Sequence, residues 1–163
     1  MGVGPDQAAG RSGPPPLVPM DLILHHDGRW THEGQPILNR RIRECFDRSV
    51  AYLPDEGKYV VALGRFRGQV EVEEAGFFVR EVNLRAGTLR LSSGCEERLD
   101  VRSLGVSAID GALLCRVHRE LAEEGLPARF THAAQAELLG AVEERQGDYV
   151  LRVAGSWEVL PEL

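Results

Sequence analysis

His25 and His26 precede an Asp27-Gly28 pair, and Arg29, Trp30 and His32 follow it, which gathers imidazoles, a carboxylate, a guanidinium and an indole in one short stretch. Imidazoles at such density suggest transition-metal ligation, where a site takes three or four protein donors. If residues 21–26 and 29–32 pair as a hairpin about Asp27-Gly28, His25 stands beside Trp30 and Ile23 beside His32. His25 and His32 then share one face while His26 points to the other. Two donors fall short of a site, and a third would have to come from His118, His132 or a carboxylate. No metal and no cofactor is expected.

Arg40, Arg41 and Arg43 crowd the start of a helix, where the macrodipole disfavours cations. One reading is an anion site built from free backbone N–H groups and guanidinium forks. The preferred reading is a solvated helix face, because Arg40 with Glu44, Arg43 with Asp47 and Glu44 with Arg48 all stand four residues apart. Glu71 and Glu73 alternate with Val70 and Val72 as the wet side of a strand would. Glu74 runs into Ala75-Gly76, a turn or bulge that could aim it, and with a histidine it supplies the one acid-base pair worth weighing.

Cys45 and Cys115 fall on apolar patterns and read as buried packing residues, whereas Cys95 beside Glu96 reads as an exposed thiol whose thiolate is disfavoured. Three widely spaced cysteines without a Cys-x-x-Cys pair argue against a disulfide framework and against a zinc knot. No nucleophile elbow, phosphate loop or dinucleotide glycine fingerprint is present in the sequence. The chain leans away from being an enzyme.

The elements that must position these groups follow from periodicity. Asn39 caps a helix with apolar positions at Ile42, Cys45, Phe46, Val50 and Leu53, stopped by Pro54-Asp55-Glu56-Gly57. Strands are expected over 58–63, 68–73, 77–84, 88–92, 98–102 and 112–118, the middle ones as an antiparallel meander. Residues 119–125 read as a turn of helix or a loop. Thr131 caps a second helix with Ala134, Leu138, Ala141 and Val142 on its apolar stripe, and residues 149–153 and 157–160 close the chain as a hairpin. Trp30, Phe77, Phe78, Tyr149 and Trp157 read as core aromatics.

The 163 residues carry a net charge of −6, which argues against a general nucleic-acid binder. No apolar run approaches the roughly 20 residues that span a bilayer. The N-terminal stretch lacks the basic and apolar parts of a secretory signal, so a cytoplasmic location is expected. Residues 1–19, rich in Gly and Pro, are expected to be a disordered tail.

Gly34-Gln35-Pro36 opens a turn-helix-strand unit that closes at Tyr59, and Gly125-Leu126-Pro127 opens another that closes at Tyr149, an offset of about 90 residues. The expected fold is α+β, with two lobes of antiparallel strands over residues 20–84 and 85–163, each carrying one principal helix. The order His25-His26-Asp27-Gly28-Arg29-Trp30, Glu33-Gly34-Gln35-Pro36-Ile37, helix, Tyr59-Val60-Val61 and Val70-Glu71-Val72-Glu73-Glu74-Ala75-Gly76-Phe77 resembles the bacterial family of unknown function DUF1285. The likeness is best from Met20 to about Ser103, and Glu74-Ala75-Gly76-Phe77 stands where that family has Asp-Ala-Pro-Phe. The resemblance implies a two-lobed α+β fold, part of it similar to pleckstrin-homology-like domains, with a suggested role in signalling or ligand binding and no known catalytic residues.

The leading expectation is a binding or regulatory protein that takes a partner protein or a small, possibly anionic, ligand between its lobes. Asp27, Arg29, Trp30, Arg40, Arg41 and Glu74 are the candidate contacts. The alternatives are an enzyme acting on a small anionic substrate with Glu74 and a histidine, and a structural homodimer without a ligand.

Overall fold

Branched and aromatic residues alternate through most of the chain, and the computed structural model, which describes residues 17–163, is accordingly dominated by strands. The first part runs β1 (Leu17–Val18), β2 (Leu22–Leu24), β3 (Trp30–His32), β4 (Gln35–Pro36), α1 (Arg40–Ser49), β5 (Val50–Leu53), β6 (Lys58–Leu63) and β7 (Phe66–Val72). The second runs β8 (Phe77–Asn83), β9 (Thr88–Leu91), β10 (Glu96–Arg98), a 3-10 turn (Val101–Ser103), β11 (Gly105–Val106), β12 (Leu113–Val117) and β13 (Leu126–Phe130). α2 (His132–Gly140) then leads into β14 (Glu143–Arg145), β15 (Asp148–Val153) and β16 (Ser156–Val159). The class is α+β, as expected, with one principal helix early in the chain and one late.

The first sheet is ordered β4-β3-β2-β7-β6-β5 and the second β10-β9-β8-β13-β12-β11. These are the same arrangement shifted by six strands. Each sheet is two antiparallel three-strand meanders joined by a parallel pair, β2 with β7 and β8 with β13. The third sheet, β14-β15-β16, follows α2 as β5-β6-β7 follows α1. The turn-helix-strand likeness read from the sequence is this local helix-and-hairpin unit, while the larger repetition lies in the strand order.

Several sequence expectations give way here. Strand β8 pairs with β9 and β13 in the second sheet, so the sheets divide between Val72 and Phe77. Helix α1 ends at Ser49 instead of Leu53, because Val50–Leu53 pair with β6 and the Pro54 turn closes that hairpin. Residues 98–102 are the end of β10 and a 3-10 turn capped by Asp100, not one strand. Strand β13 went unrecognised because Pro127 breaks a strand pattern; Pro127 faces Arg116, and the parallel ladder to β8 starts only at Ala128. Strand β14 went unrecognised as well. Leu17 and Val18, assigned to the tail, pair with Arg67 and Gly68, and the remainder of the expected tail lies outside the described residues.

Leu22, Leu24, Trp30, Val61, Phe77, Val79, Leu89, Leu91, Leu138 and Leu151 belong to a core shared by the sheets. Each such side chain contributes about 1.5–3 kcal/mol on burial. Tyr149 and Trp157 are not in it, being 62% and 39% exposed. Cys115 is buried, which pushes its thiol up to about 12, while Cys45 is only half-buried and Cys95 is exposed. The ring of Tyr59 covers Gly76, where a Cβ would stand 2.5 Å from the Tyr59 Cε1. Gly76→Ala should therefore cost about 1–3 kcal/mol through overpacking, and Tyr59→Leu in the same chain should recover part of it. Urea midpoints measure this, and an unchanged midpoint for Gly76→Ala alone would show that the ring yields freely.

Candidate functional site

The β2–β3 turn is one residue longer than a two-residue Asp27-Gly28 turn, opening at His25 and closing at Arg29. His25 N donates to Arg29 O at 2.8 Å, Gly28 N donates to His25 O at 3.0 Å, and Gly28 sits at φ +89°, a conformation that suits glycine. The ladder is consequently Ile23 with Thr31 and Leu22 with His32. This one-residue slip places His25 and His32 on opposite faces instead of one shared face. His25 Nε2 meets Thr31 Oγ1 at 2.9 Å instead of sharing a metal-facing side with His32.

The turn leans on the connector between β7 and β8. His26 Nδ1 lies 2.6 Å from Glu73 Oε1, and His25 Nδ1 lies 3.3 Å from Glu73 Oε2. On its other side, His26 Nε2 faces Asp110 Oδ2 at 3.9 Å. Asp110 in turn holds Arg129 of β13 through both terminal nitrogens, at 3.0 and 2.5 Å. Arg129 Nη1 also donates to Glu74 Oε1 at 3.1 Å, and Ser107 Oγ donates to the other Glu74 oxygen at 2.5 Å. One continuous polar chain thus joins the first sheet's turn to the second sheet's central strand.

Burial decides what this chain is made of. The Arg129 side chain is 8% exposed and that of Glu74 13%, so the guanidinium needs its carboxylates and the fork geometry supplies them. The hydrogen bonds of Arg129 hold Asp110 far below the usual carboxylate range, and Asp110 raises Arg129. Partial desolvation works to raise Glu73, but hydrogen bonds from His26 and its charge bring the carboxyl below its ordinary value. Asp27 behaves alike: desolvation opposes, and the backbone and guanidinium of Arg29 carry it lower.

Beside this network opens a cleft of about 200 Å³ whose lining includes Asp27, Phe78, Arg129, Thr131, His132 and Gln135. A second hollow of about 410 Å³, lined by Asp27, Asp47, Phe78, Arg80 and Thr131, shares three of those residues. Thr131 caps α2 by accepting from Ala134 N at 3.3 Å, and Gln135 is tied down by Leu113 N at 3.0 Å. The walls of the cleft are therefore held by regular structure.

Of the six candidate contacts, Asp27 lines both hollows and Glu74 belongs to the network. Arg29 folds back on Asp27, its Nε donating at 2.7 Å, with its side chain 71% exposed. Trp30 is not a surface contact: it is buried, and its indole N–H donates to Asp47 at 2.8 Å. Arg40 pairs with Glu44 at 2.8 Å on the solvated face, and neither hollow is lined by Arg40 or Arg41. Asp47, expected to lace with Arg43, turns to Trp30 and Arg80 instead. The contacts that sequence reasoning missed are Arg129, Asp110 and Ser107. The available signal was a lone arginine inside the apolar run from Leu126 to Phe130.

Neither the models of known families nor the curated proteins give a match to this sequence. Solved structures do. A DUF1285 family protein from Silicibacter pomeroyi DSS-3 superposes with a TM-score of 0.61 at 20% identity, over 91% of this chain and 88% of its own. A second, from Shewanella baltica OS155, gives a TM-score of 0.50 at 13% identity, over 74% of this chain and 91% of its own. The fold is that of these proteins, which agrees with the resemblance carried by the Asp-Gly-x-Trp and Glu-Ala-Gly-Phe stretches.

Proposed function

We propose that this chain, sharing its fold with DUF1285 family proteins, is a binding or regulatory protein that takes a small ligand or a partner's side chain in the cleft beneath Asp27. The observation that carries this reading is the commitment of the charges around that cleft. Both Glu74 oxygens and both terminal nitrogens of Arg129 are already engaged, so this pair supports a wall and is not itself free to act as an acid or base in turnover. The same commitment changes the ligand chemistry. Asp27, Asp47, Glu73, Glu74 and Asp110, in the network and the two hollows, outnumber Arg29, Arg80 and Arg129, and that balance favours a protonated amine or a hydroxyl-rich group over an anion. A cytoplasmic signalling role belongs to the same proposal.

Amide chemical shifts of the full chain, titrated with small primary amines and polyols, test it. Saturable shifts at Asp27, Phe78 and Thr131 are expected, with affinity falling about tenfold in Asp27→Asn. Amides in the cleft that stay unmoved by amines and polyols, while phosphate moves those at the start of α1, would restore the arginine-cap reading.

A further inference from the structure

At the end of the second sheet remote in sequence from the hairpin, β12 passes into a turn at His118. The residue is 8% exposed, its backbone sits at φ +53°, and its ring is tilted against Phe77 with centroids 4.8 Å apart. Two carboxylates converge on one atom of that ring. Glu97 Oε1 from β10 and Glu120 Oε1 from the turn each lie 2.7 Å from His118 Nδ1, and the three donor atoms fall within 4.8 Å of one another.

Proton counting makes this arrangement informative. An imidazole nitrogen carries at most one hydrogen, which points squarely at a single acceptor, yet two acceptors stand at full hydrogen-bond distance. The arginine between them in sequence does not relieve the charge, because Arg119 turns to Asp100 at 2.7 Å. An imidazole nitrogen and two carboxylate oxygens gathered within 4.8 Å of one another are the donor set of a first-row divalent ion, with remaining positions left to water. With bonds of about 2.0–2.2 Å at tetrahedral angles, ligand atoms around such an ion stand roughly 3.3–3.6 Å apart, so each carboxylate must draw back from the imidazole nitrogen by roughly 0.6–0.9 Å.

We propose that Glu97, His118 and Glu120 form a binding site for a divalent transition-metal ion, separate from the cleft at Asp27. Glu97 and His118 supply the fixed part of the site, on a strand and against a core aromatic. Glu120, with its side chain 63% exposed, is the ligand that closes over the ion. The proposal does not depend on the binding cleft.

Zn²⁺ titrated calorimetrically into the chelator-stripped full chain should bind at one ion per chain, and Co²⁺ should give a visible absorption band at the same stoichiometry. Affinity should fall at least about tenfold in Glu120→Gln, which changes an exposed group, and in His118→Asn, since asparagine tolerates the left-handed backbone there. Cys95→Ser should bind as the parent does. Equal affinity in the parent and both ligand variants, loss of binding in Cys95→Ser alone, or no stoichiometric uptake by the parent would each overturn the assignment.

Discussion

Replacing Arg129 with methionine should destabilise the protein by about 3–5 kcal/mol, the cost of breaking a buried ion pair from one side. The guanidinium is the only cation that Glu74 meets in the network, and Glu74 is nearly as enclosed as Arg129 itself. Methionine fills much of the volume but leaves Glu74 and Asp110 facing each other without a counter-charge. Arg129→Lys keeps the charge and loses the fork to Asp110, so it should fall between parent and methionine. Adding Glu74→Gln to Arg129→Met should recover part of the loss, since the buried carboxylate is what the single change strands. Equilibrium urea unfolding measures all of these. A loss under about 1 kcal/mol for Arg129→Met would mean that the guanidinium is solvated and that the sheets are not joined through it.

Trp30→Ala should cost a similar amount, about 3–5 kcal/mol, and should act on α1 in particular. The helix has no fully buried residue of its own. Its ties to the sheet include Phe46, edge-on to Trp30 with centroids 5.3 Å apart, and Asp47, which accepts the indole N–H. Burial raises the Asp47 carboxyl, against the lowering effect of Trp30 and Arg80, so losing the indole removes one of the groups that keep it ionised. Trp30→Phe separates the two contributions: it retains most of the ring contact and loses the hydrogen bond, at about 1–2 kcal/mol. Amide exchange read residue by residue should show α1 opening faster in Trp30→Ala while β12 and β13 stay protected. Uniform acceleration across the chain would show instead that the helix is held by other contacts.

How legible the molecule was in its sequence depended on how local each signal is. Caps at Asn39 and Thr131 depend on neighbours in the chain and stand where the sequence places them, whereas β5, which needs β6 as a partner, reads as the last turn of helix α1. Parallel pairing of β2 with β7 and of β8 with β13 leaves no mark in periodicity, so which strands share a sheet is not legible in the sequence. The site followed the same rule. Asp27 and Glu74 could be singled out by their turns, whereas Asp110 and Arg129 matter because two loops and a strand meet, and the strand itself was hidden by Pro127. The hairpin register shows the sharper cost of a local error, since one residue of slip moves His25 and His32 to opposite faces of the ladder.

The shared strand order also governs how the chain reaches this structure. In both sheets the strand made first and the strand made last are neighbours, so each sheet is locked by contacts such as Ile23 with Glu71 and Ala128 with Phe77 that span nearly its whole sequence. The meanders can form from nearby residues, but their joining must wait for the entire stretch and bears the loop-closure entropy. Each half of the fold is therefore fastened only at its final strand, and the polar chain from His26 to Arg129 can assemble only after both fasteners have closed.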